Sequence, residues 1–425
     1  MMNILIYTKH WRKGGIEKLI AYLIEHSDNR YNFTILTEDV PDPKNQYELP
    51  INVRIYFRRY SPFTDKNKNN LRSAIKNIDP DVIVVMGSTR EIYKISRASI
   101  GLPYPIVISE HNSNKEIAKN FYNDYDFYNA VRNAADLNHV IFSSFAEDYP
   151  NKDKVRVVTN PILPLDYRAS VSEPGATKKK IIHIARYDLN QKQQDILVRS
   201  FSLIAQKHLD WELHLYGGDW FGGQQEIKNL VSKLDLSNQV FVHDAIENVG
   251  EVLSTGSIFA FPSAYEGFGL VVGEAMSVGL PVVAFADCEG VNQIVKNGYN
   301  GTLVSSSLRD CDMFSQALDN LMSDEEKRKE YSINALKTIS DFSLEKFISG
   351  WEEIFDEAFS LKGKNKLLNL SDIEQHYMDV VVSGLLFDKI YSRTPKKIIF
   401  NKVRSIIHKL RLQKLARYIY RKFKK

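Results

Sequence analysis

SAYEGFGLVVGEAMSVGLPVVAF, residues 263–285, reads as the end of a buried strand, a glycine-bracketed turn, a short helix and a second strand. Packing accounts for its apolar residues, which leaves its two acids, Glu266 and Glu274, to be explained. Phe268 and Gly269 stand between them at the expected helix start, where free backbone N–H groups and the macrodipole favour an anion. Leu270 to Val278 makes about two turns, and Gly279 followed by Pro281 ends the helix. Glu274 then lies about one turn in, so both carboxylates are expected to line one cleft. Carboxylates beside a helix N-terminus suit a ligand with an anionic part and several hydroxyls, a description that a nucleotide sugar meets.

Outward from this stretch, short apolar runs recur with helical segments between them. Ile181–Asp188, Trp211–Gly218, Gln239–Asp244, Ser257–Ser263 and Pro281–Phe285 are strand candidates on its own side of the chain. Asn3–Thr8, Asn32–Leu36, Val53–Phe57, Asp81–Gly87, Pro105–Ser109, Leu137–Phe142 and Val155–Thr159 form an earlier series. Alternating β and α in short units predicts doubly wound parallel sheets, in which ligands sit beyond the carboxyl ends of the strands. Asn160–Lys180 carries three prolines and a charged end and is read as a linker. The fold class expected is therefore α/β, two Rossmann-like domains facing a cleft. Its divisions are 1–165, 166–341, a helix at 342–360 with Phe347, Trp351, Ile354 and Phe355 at helical spacing, and a basic helical extension at 361–425.

A chain of 425 residues exceeds what one core usually supports. Its 44% hydrophobic and 25% charged residues are ordinary for a soluble globular protein. No apolar run reaches the roughly 18 residues of a membrane span, and MMNILIYT lacks the basic flank of a signal peptide, so a cytoplasmic location is expected. Cys288 and Cys311 have neither CxxC spacing nor a histidine-rich neighbourhood and imply no disulfide framework or zinc site. The net charge of +4 conceals an asymmetry: Lys396–Lys425 holds twelve Lys/Arg and no acid, leaving 44 basic against 52 acidic residues elsewhere. That disfavours a nucleic-acid-binding fold and points to one local contact with an anionic surface. In the tail Ile399, Val403, Ile406 and Leu410 share one helical face, as in helices that lie in an anionic membrane interface. A helix docked by that face on the protein itself has the same pattern.

Four further groups stand where a doubly wound sheet places ligands. Gly14–Gly15 separates the first strand from an apolar-faced helix and fits either a tight turn or a phosphate cradle, though not the GxGxxG fingerprint. His111 follows a strand end in SEHN and fits a ligand contact or a histidine satisfied by backbone. Arg186 and Lys192 flank the loop after the first strand of the second half. Alone they read as surface charges. In the half that also carries Glu266 and Glu274, they can face a diphosphate and stabilise its leaving charge without a metal.

The order ARYDLNQKQQD, HLYGG, FPSAYEGFGLVVGEAMSVGLPVVA and GVNQIVKNGYNGTLV resembles the nucleotide-binding half of the family 4 retaining glycosyltransferases, which have the two-Rossmann GT-B fold. Glu266 and Glu274 meet that family's E-x7-E spacing, and KGGIEKL, PDVIVV, SEH, TNPI and FSLEKF extend the likeness over about residues 1–360. The resemblance implies that 1–165 is the acceptor side, 166–341 the nucleotide-sugar side and 342–360 a helix crossing back to the first domain. It implies Arg186 and Lys192 on the donor diphosphate, Glu274 on the ribose and Glu266 on the sugar. The Phe268, Gly269 and Leu270 amides and that of Gly15 would lie close to sugar or phosphate, and His111 at the transfer site. Three positions depart from the family's usual glycines: Ala185 before the arginine, Gln193 after the lysine, and Asp244.

The function implied is transfer, with retention, of a hexose or N-acetylhexosamine from a nucleotide sugar, UDP-linked by family frequency. The acceptor would be an oligosaccharide or lipid-linked saccharide in surface polysaccharide or glycolipid synthesis, with the protein peripheral on the inner face of the plasma membrane. No cofactor is called for. Asp79–Pro80–Asp81 spells D-x-D but precedes a strand instead of ending one, so no metal is assigned. A sugar-nucleotide epimerase of the same fold and a non-catalytic scaffold subunit are the competing readings.

Overall fold

The computed structural model describes residues 1–57, 65–87, 89–113, 132–171, 178–220, 222–305 and 310–368. The basic segment Lys396–Lys425 lies outside the described residues. The first sheet holds β1 (Met2–Thr8), β2 (Tyr31–Thr37), β3 (Arg54–Phe57), β4 (Val82–Met86), β5 (Ile106–Glu110), β6 (Leu137–Val140) and β7 (Val155–Val157). Its helices are α1 (Gly15–His26), α2 (Asp65–Ile78) and α3 (Thr89–Ser99). The second sheet holds β8 (Lys179–Ile184), β9 (Trp211–Tyr216), β10 (Val240–His243), β11 (Ile258–Phe261), β12 (Val282–Phe285) and β13 (Gly301–Val304). With it go α4 (Gln194–Ser202), α5 (Gly223–Lys233), α6 (Val249–Ser254), α7 (Leu270–Ser277), α8 (Val291–Ile294), α9 (Cys311–Ser323) and α10 (Glu325–Ile339). A long helix, α11 (Leu344–Ser360), follows.

Strand order is β3-β2-β1-β4-β5-β6-β7 in one sheet and β10-β9-β8-β11-β12-β13 in the other, with parallel pairing throughout the described ladders. Each order reverses beside its first strand, between β1 and β4 and between β8 and β11, and such switch points open ligand crevices at the carboxyl ends. Helices cover both faces, which is why β4 (VIVVM) and β11 (IFAF) are buried at every position rather than alternating. The strand β13 is an addition to the sequence reading: GTLV is short and follows a glycine turn, and only its ladder to β12 makes it a strand.

α11 packs in the first domain. Phe347, Trp351, Ile354, Phe355 and Ala358 join Ile4, Ile6, Phe33 and Val84 in one core, and the Phe355 ring lies 5.3 Å from that of Tyr31. Fully burying an aromatic of this size stabilises by about 1.5–3 kcal/mol. Its outer edge is tied by Arg30 to Asp356 (2.9 Å) and by Arg156 to both carboxylate oxygens of Glu357. Residues 361–368, placed by sequence in the helical extension, instead form turns pinned to the first domain. Lys362 pairs with Asp81 (2.6 Å), and the Asn365 amide donates to the Leu102 and Tyr104 carbonyls.

The stretch read as a linker is docked over its first half. Ala169 N–H donates to Val278 O (2.8 Å), Ser170 N–H to Ser254 O (3.0 Å), and buried Ile162 packs on Gly273 of α7. Its prolines and charges gave no hint of this, because docking uses backbone groups and apolar side chains such as Ile162, Leu165 and Tyr167. Among the described residues, no helix is long and apolar enough to cross a membrane.

Candidate active site

A cavity of about 490 Å³ opens between the two sheets at their carboxyl ends. The first domain contributes Gly15, Ile16 and Leu19 of α1, His111–Ser113 after β5, and Asn160. The second contributes Arg186, Gln191 and Lys192 after β8, and Phe261 with Tyr265–Val271 after β11. The starts of α1 and α7 thus face the same space, so two sets of unpaired helical N–H groups bias it toward an anion.

The loop between β11 and α7 is shaped by glycine. Gly269, the N-cap of α7, has φ +83°, a left-handed conformation that a side chain strongly disfavours. Gly267 is held between domains: a Cβ there would lie 1.8 Å from the His111 carbonyl oxygen. This close approach sets Glu266 against the first domain's strand ends. The Phe268 ring is buried, stacked on Phe142 (5.4 Å) and edge-on to Phe342 (5.7 Å), so its contribution to the cavity is backbone.

Lys192 and Glu266 form an ion pair with each side chain 11% exposed, and Ser263 Oγ also donates to Glu266 Oε1 (2.6 Å). Lys192 Nζ lies 5.3 Å from the Phe261 ring centroid. Arg186 donates to Gln191 Oε1 and reaches Asp188 Oδ2 at 3.4 Å. Gln191, which the sequence reading passed over, is the joint of this wall. Its side-chain amide donates to Tyr265 O (3.1 Å), and its backbone carbonyl accepts from Ala264 N–H (2.7 Å). The available signal was its place between Arg186 and Lys192. Lys192 stays in position although Gln193 stands where glycine is usual, because Gln193 itself adopts φ +53° as the N-cap of α4.

Glu274 is placed differently from Glu266. It is absent from the cavity wall, and Lys18 of α1 donates to its Oε1 at 2.8 Å across the domain junction. The two acids of residues 263–285 are thus each held by a lysine, one from each domain. Lys18 was missed because its significance depends on α1 facing α7. The Glu274 carboxylate holds the Lys18 ammonium well above the usual lysine range against its burial.

His111 lines the cavity, with its Nε2 at 2.8 Å from Ser109 Oγ, while its Nδ1 is buried with no protein partner among the described residues. Burial, with His139 nearby, pushes its pKa down to about 3, so the ring is neutral at physiological pH. Asn160, in the TNPI segment, also lines the cavity, and its Oδ1 is buried without a protein partner among the described residues. Trp11, in the loop between β1 and α1, is 2% exposed and belongs to the first domain's core. Trp220 is the exposed indole at this end, at 64%, with the Arg12 guanidinium 5.8 Å from its ring.

Residues 169–338 match the family described as Glycosyl transferases group 1. An uncharacterized glycosyltransferase of Haemophilus influenzae is 24% identical over 351 residues, which is 80% of this chain and 96% of that protein. A Campylobacter jejuni protein is 24% identical over 84% of this chain and 99% of its own length. Its name is GalNAc-alpha-(1->4)-GalNAc-alpha-(1->3)-diNAcBac-PP-undecaprenol alpha-1,4-N-acetyl-D-galactosaminyltransferase. Anabaena HepE, solved in complex with UDP and glucose, superposes with a TM-score of 0.67 at 19% identity, covering 84% of this chain and 100% of that one. With two doubly wound domains around one cleft and this match over the second of them, the chain has the GT-B fold, and its residues 169–338 are similar to the glycosyl transferases group 1 family.

Proposed function

We propose that this chain is a retaining, metal-independent transferase that moves a hexose or N-acetylhexosamine from a UDP-sugar to a saccharide or lipid-linked saccharide acceptor in surface polysaccharide or glycolipid synthesis. The observation that carries the proposal is the cavity wall on which Arg186, Lys192 and Glu266 face the starts of α1 and α7. Two cations and two helix N-termini suit a diphosphate, whose charge grows as the sugar leaves. Glu266, with one oxygen on Lys192 and Ser263, is placed to meet sugar hydroxyls, and His111 offers a neutral acceptor from the facing domain. Glu274 takes the ribose once Lys18 gives way. The Gly15 amide, with the Gly269 and Leu270 amides opposite, takes phosphate or sugar.

In this arrangement residues 166–341 hold the donor and 1–165 present the acceptor, whose hydroxyl attacks from the side on which the nucleoside diphosphate departs. Support for the donor comes from HepE, solved with UDP and glucose, and for a lipid-linked acceptor from the undecaprenol-linked substrate in the Campylobacter protein's name. The test is a panel of UDP- and GDP-sugars read by thermal shift, since a ligand that binds the folded state raises its stability. Release of UDP, with acceptor added and the product's anomeric configuration read by NMR, follows for the best binder. Stabilisation by a UDP-sugar and a retained anomeric centre are expected. No stabilisation by any nucleotide sugar overturns the proposal, and interconversion of epimers without transfer replaces it with the epimerase reading.

The basic tail is proposed to hold the protein on an anionic membrane face. Deleting Pro395–Lys425 should abolish cosedimentation with anionic liposomes and leave UDP binding intact. Unchanged cosedimentation rejects this part.

A further inference from the structure

Behind His111 runs a chain of three hydrogen bonds that nothing in the donor-binding scheme uses. Val158 O lies 2.8 Å from His139 Nε2, His139 Nδ1 lies 2.8 Å from Ser109 Oγ, and Ser109 Oγ lies 2.8 Å from His111 Nε2. Ser109 and His139 are fully buried on β5 and β6, paired to each other in the ladder, and the His139 ring packs 4.6 Å from Trp351 of α11. Each proton along this chain is dictated by its neighbour. A carbonyl only accepts, so His139 carries its proton on Nε2 and donates to Val158. Burial lowers the His139 pKa to about 4, so its other nitrogen is a lone pair, and that lone pair takes the single Ser109 hydroxyl proton. Ser109 Oγ can then only accept from His111, which places the His111 proton on Nε2. His111 Nδ1 is left as a bare acceptor, buried and without a protein donor among the described residues, on a residue that lines the cavity.

We propose that Ser109 and His139 are positioning residues that lock His111 as the Nε2–H tautomer, so that its Nδ1 reads a donor-sugar hydroxyl which must present its proton. The selection of sugars rests on the cavity being the donor site, whereas the tautomer does not. A buried acceptor left unmatched disfavours the ligand that fails to match it, so a sugar lacking that hydroxyl is rejected. The crossing helix enters the chemistry here only as the wall that holds His139.

The experiment uses the full chain with nitrogen-15-labelled histidine, His111 being assigned by its loss in His111→Gln. At neutral pH without ligand, His111 should be found protonated on Nε2 alone. A proton on Nδ1, or a mixture of the two tautomers, overturns the lock. In Ser109→Ala the two tautomers should mix, while Ser109→Thr, which keeps the hydroxyl, should restore the single form. UDP-glucose, UDP-N-acetylglucosamine and their monodeoxy analogues then probe selection, with UDP release as the readout. One monodeoxy donor should be turned over about tenfold more slowly by the wild type, and Ser109→Ala should lose that discrimination while binding UDP unchanged. Equal losses in UDP affinity and in turnover of every donor would mark Ser109 as merely structural and overturn its role in selection. A locked tautomer in a protein that releases UDP from none of these donors would uphold the lock and overturn the proposed function.

Discussion

Replacing Lys192 separates what the Lys192–Glu266 pair does for folding from what it does for the proposed chemistry. Both side chains are 11% exposed, so Lys192→Ala leaves a nearly buried carboxylate whose remaining hydrogen bond among the described residues is from Ser263. Breaking a buried pair from one side costs about 3–5 kcal/mol, and the residual exposure with the Ser263 bond reduces this here to about 2 kcal/mol. For a domain of this size that lowers Tm by about 4–8 °C. Turnover should fall by roughly 10²-fold or more, the scale of removing one preorganised charge from the leaving group. The double variant Lys192→Ala/Glu266→Gln removes the orphaned charge and should recover most of the lost Tm without recovering turnover. Melting by calorimetry and UDP release from the best-binding UDP-sugar measure the two arms. Turnover within threefold of wild type in Lys192→Ala, or activity restored in the double variant, would refute the assignment of Lys192 to the diphosphate.

The other expectations follow from the domain junction and the buried histidines. Lys18→Met should tighten UDP binding by up to about fivefold, because the ribose no longer competes with an ion pair worth about 1 kcal/mol; weaker binding by calorimetry would show that Lys18 helps to hold the nucleotide. In Gly267→Ala the new methyl meets the His111 carbonyl, so the cleft should open, with a stability loss of about 1–3 kcal/mol and a larger radius of gyration by X-ray scattering; unchanged values would mean that the two loops do not touch in solution. His183, whose Nδ1–H donates to Ala260 O (2.8 Å), is fully buried with its pKa pushed down to about 4, against 6.5 when unfolded. The unfolded chain therefore takes up this proton first as pH falls, and the stability is lost from pH 6.5 downward. Between pH 7 and 5 this amounts to about 2 kcal/mol, and urea melts of His183→Gln should show a pH dependence smaller by that amount. An unchanged dependence would mean that His183 titrates normally in the fold.

Much of this protein is legible along the chain. Parallel strands buried on both faces must be continuous apolar runs, and the helices between them must show an apolar stripe, so both sheets are marked locally, β13 excepted. The cavity wall is legible for the same reason: Arg186, Lys192 and Glu266 lie at strand ends, and the turn chemistry of residues 263–285 brackets Glu266 and the start of α7. The partners of these groups are another matter. Lys18 on Glu274, Gln191 under Arg186, and the His139–Ser109 chain behind His111 join residues 256, 5, 30 and 2 positions apart, and no spacing rule distinguishes them from other lysines, glutamines and histidines. Trp11 and Trp220 show the same limit, one indole in the core and one in solvent with nothing local to tell them apart. Periodicity and turn residues are properties of consecutive positions, so the sequence determined the two-domain fold and the groups at its strand ends. Charge pairing, tautomer and burial depend on which surfaces meet, and the tertiary structure alone decided that Glu266 faces the cavity while Glu274 is held by the opposite domain.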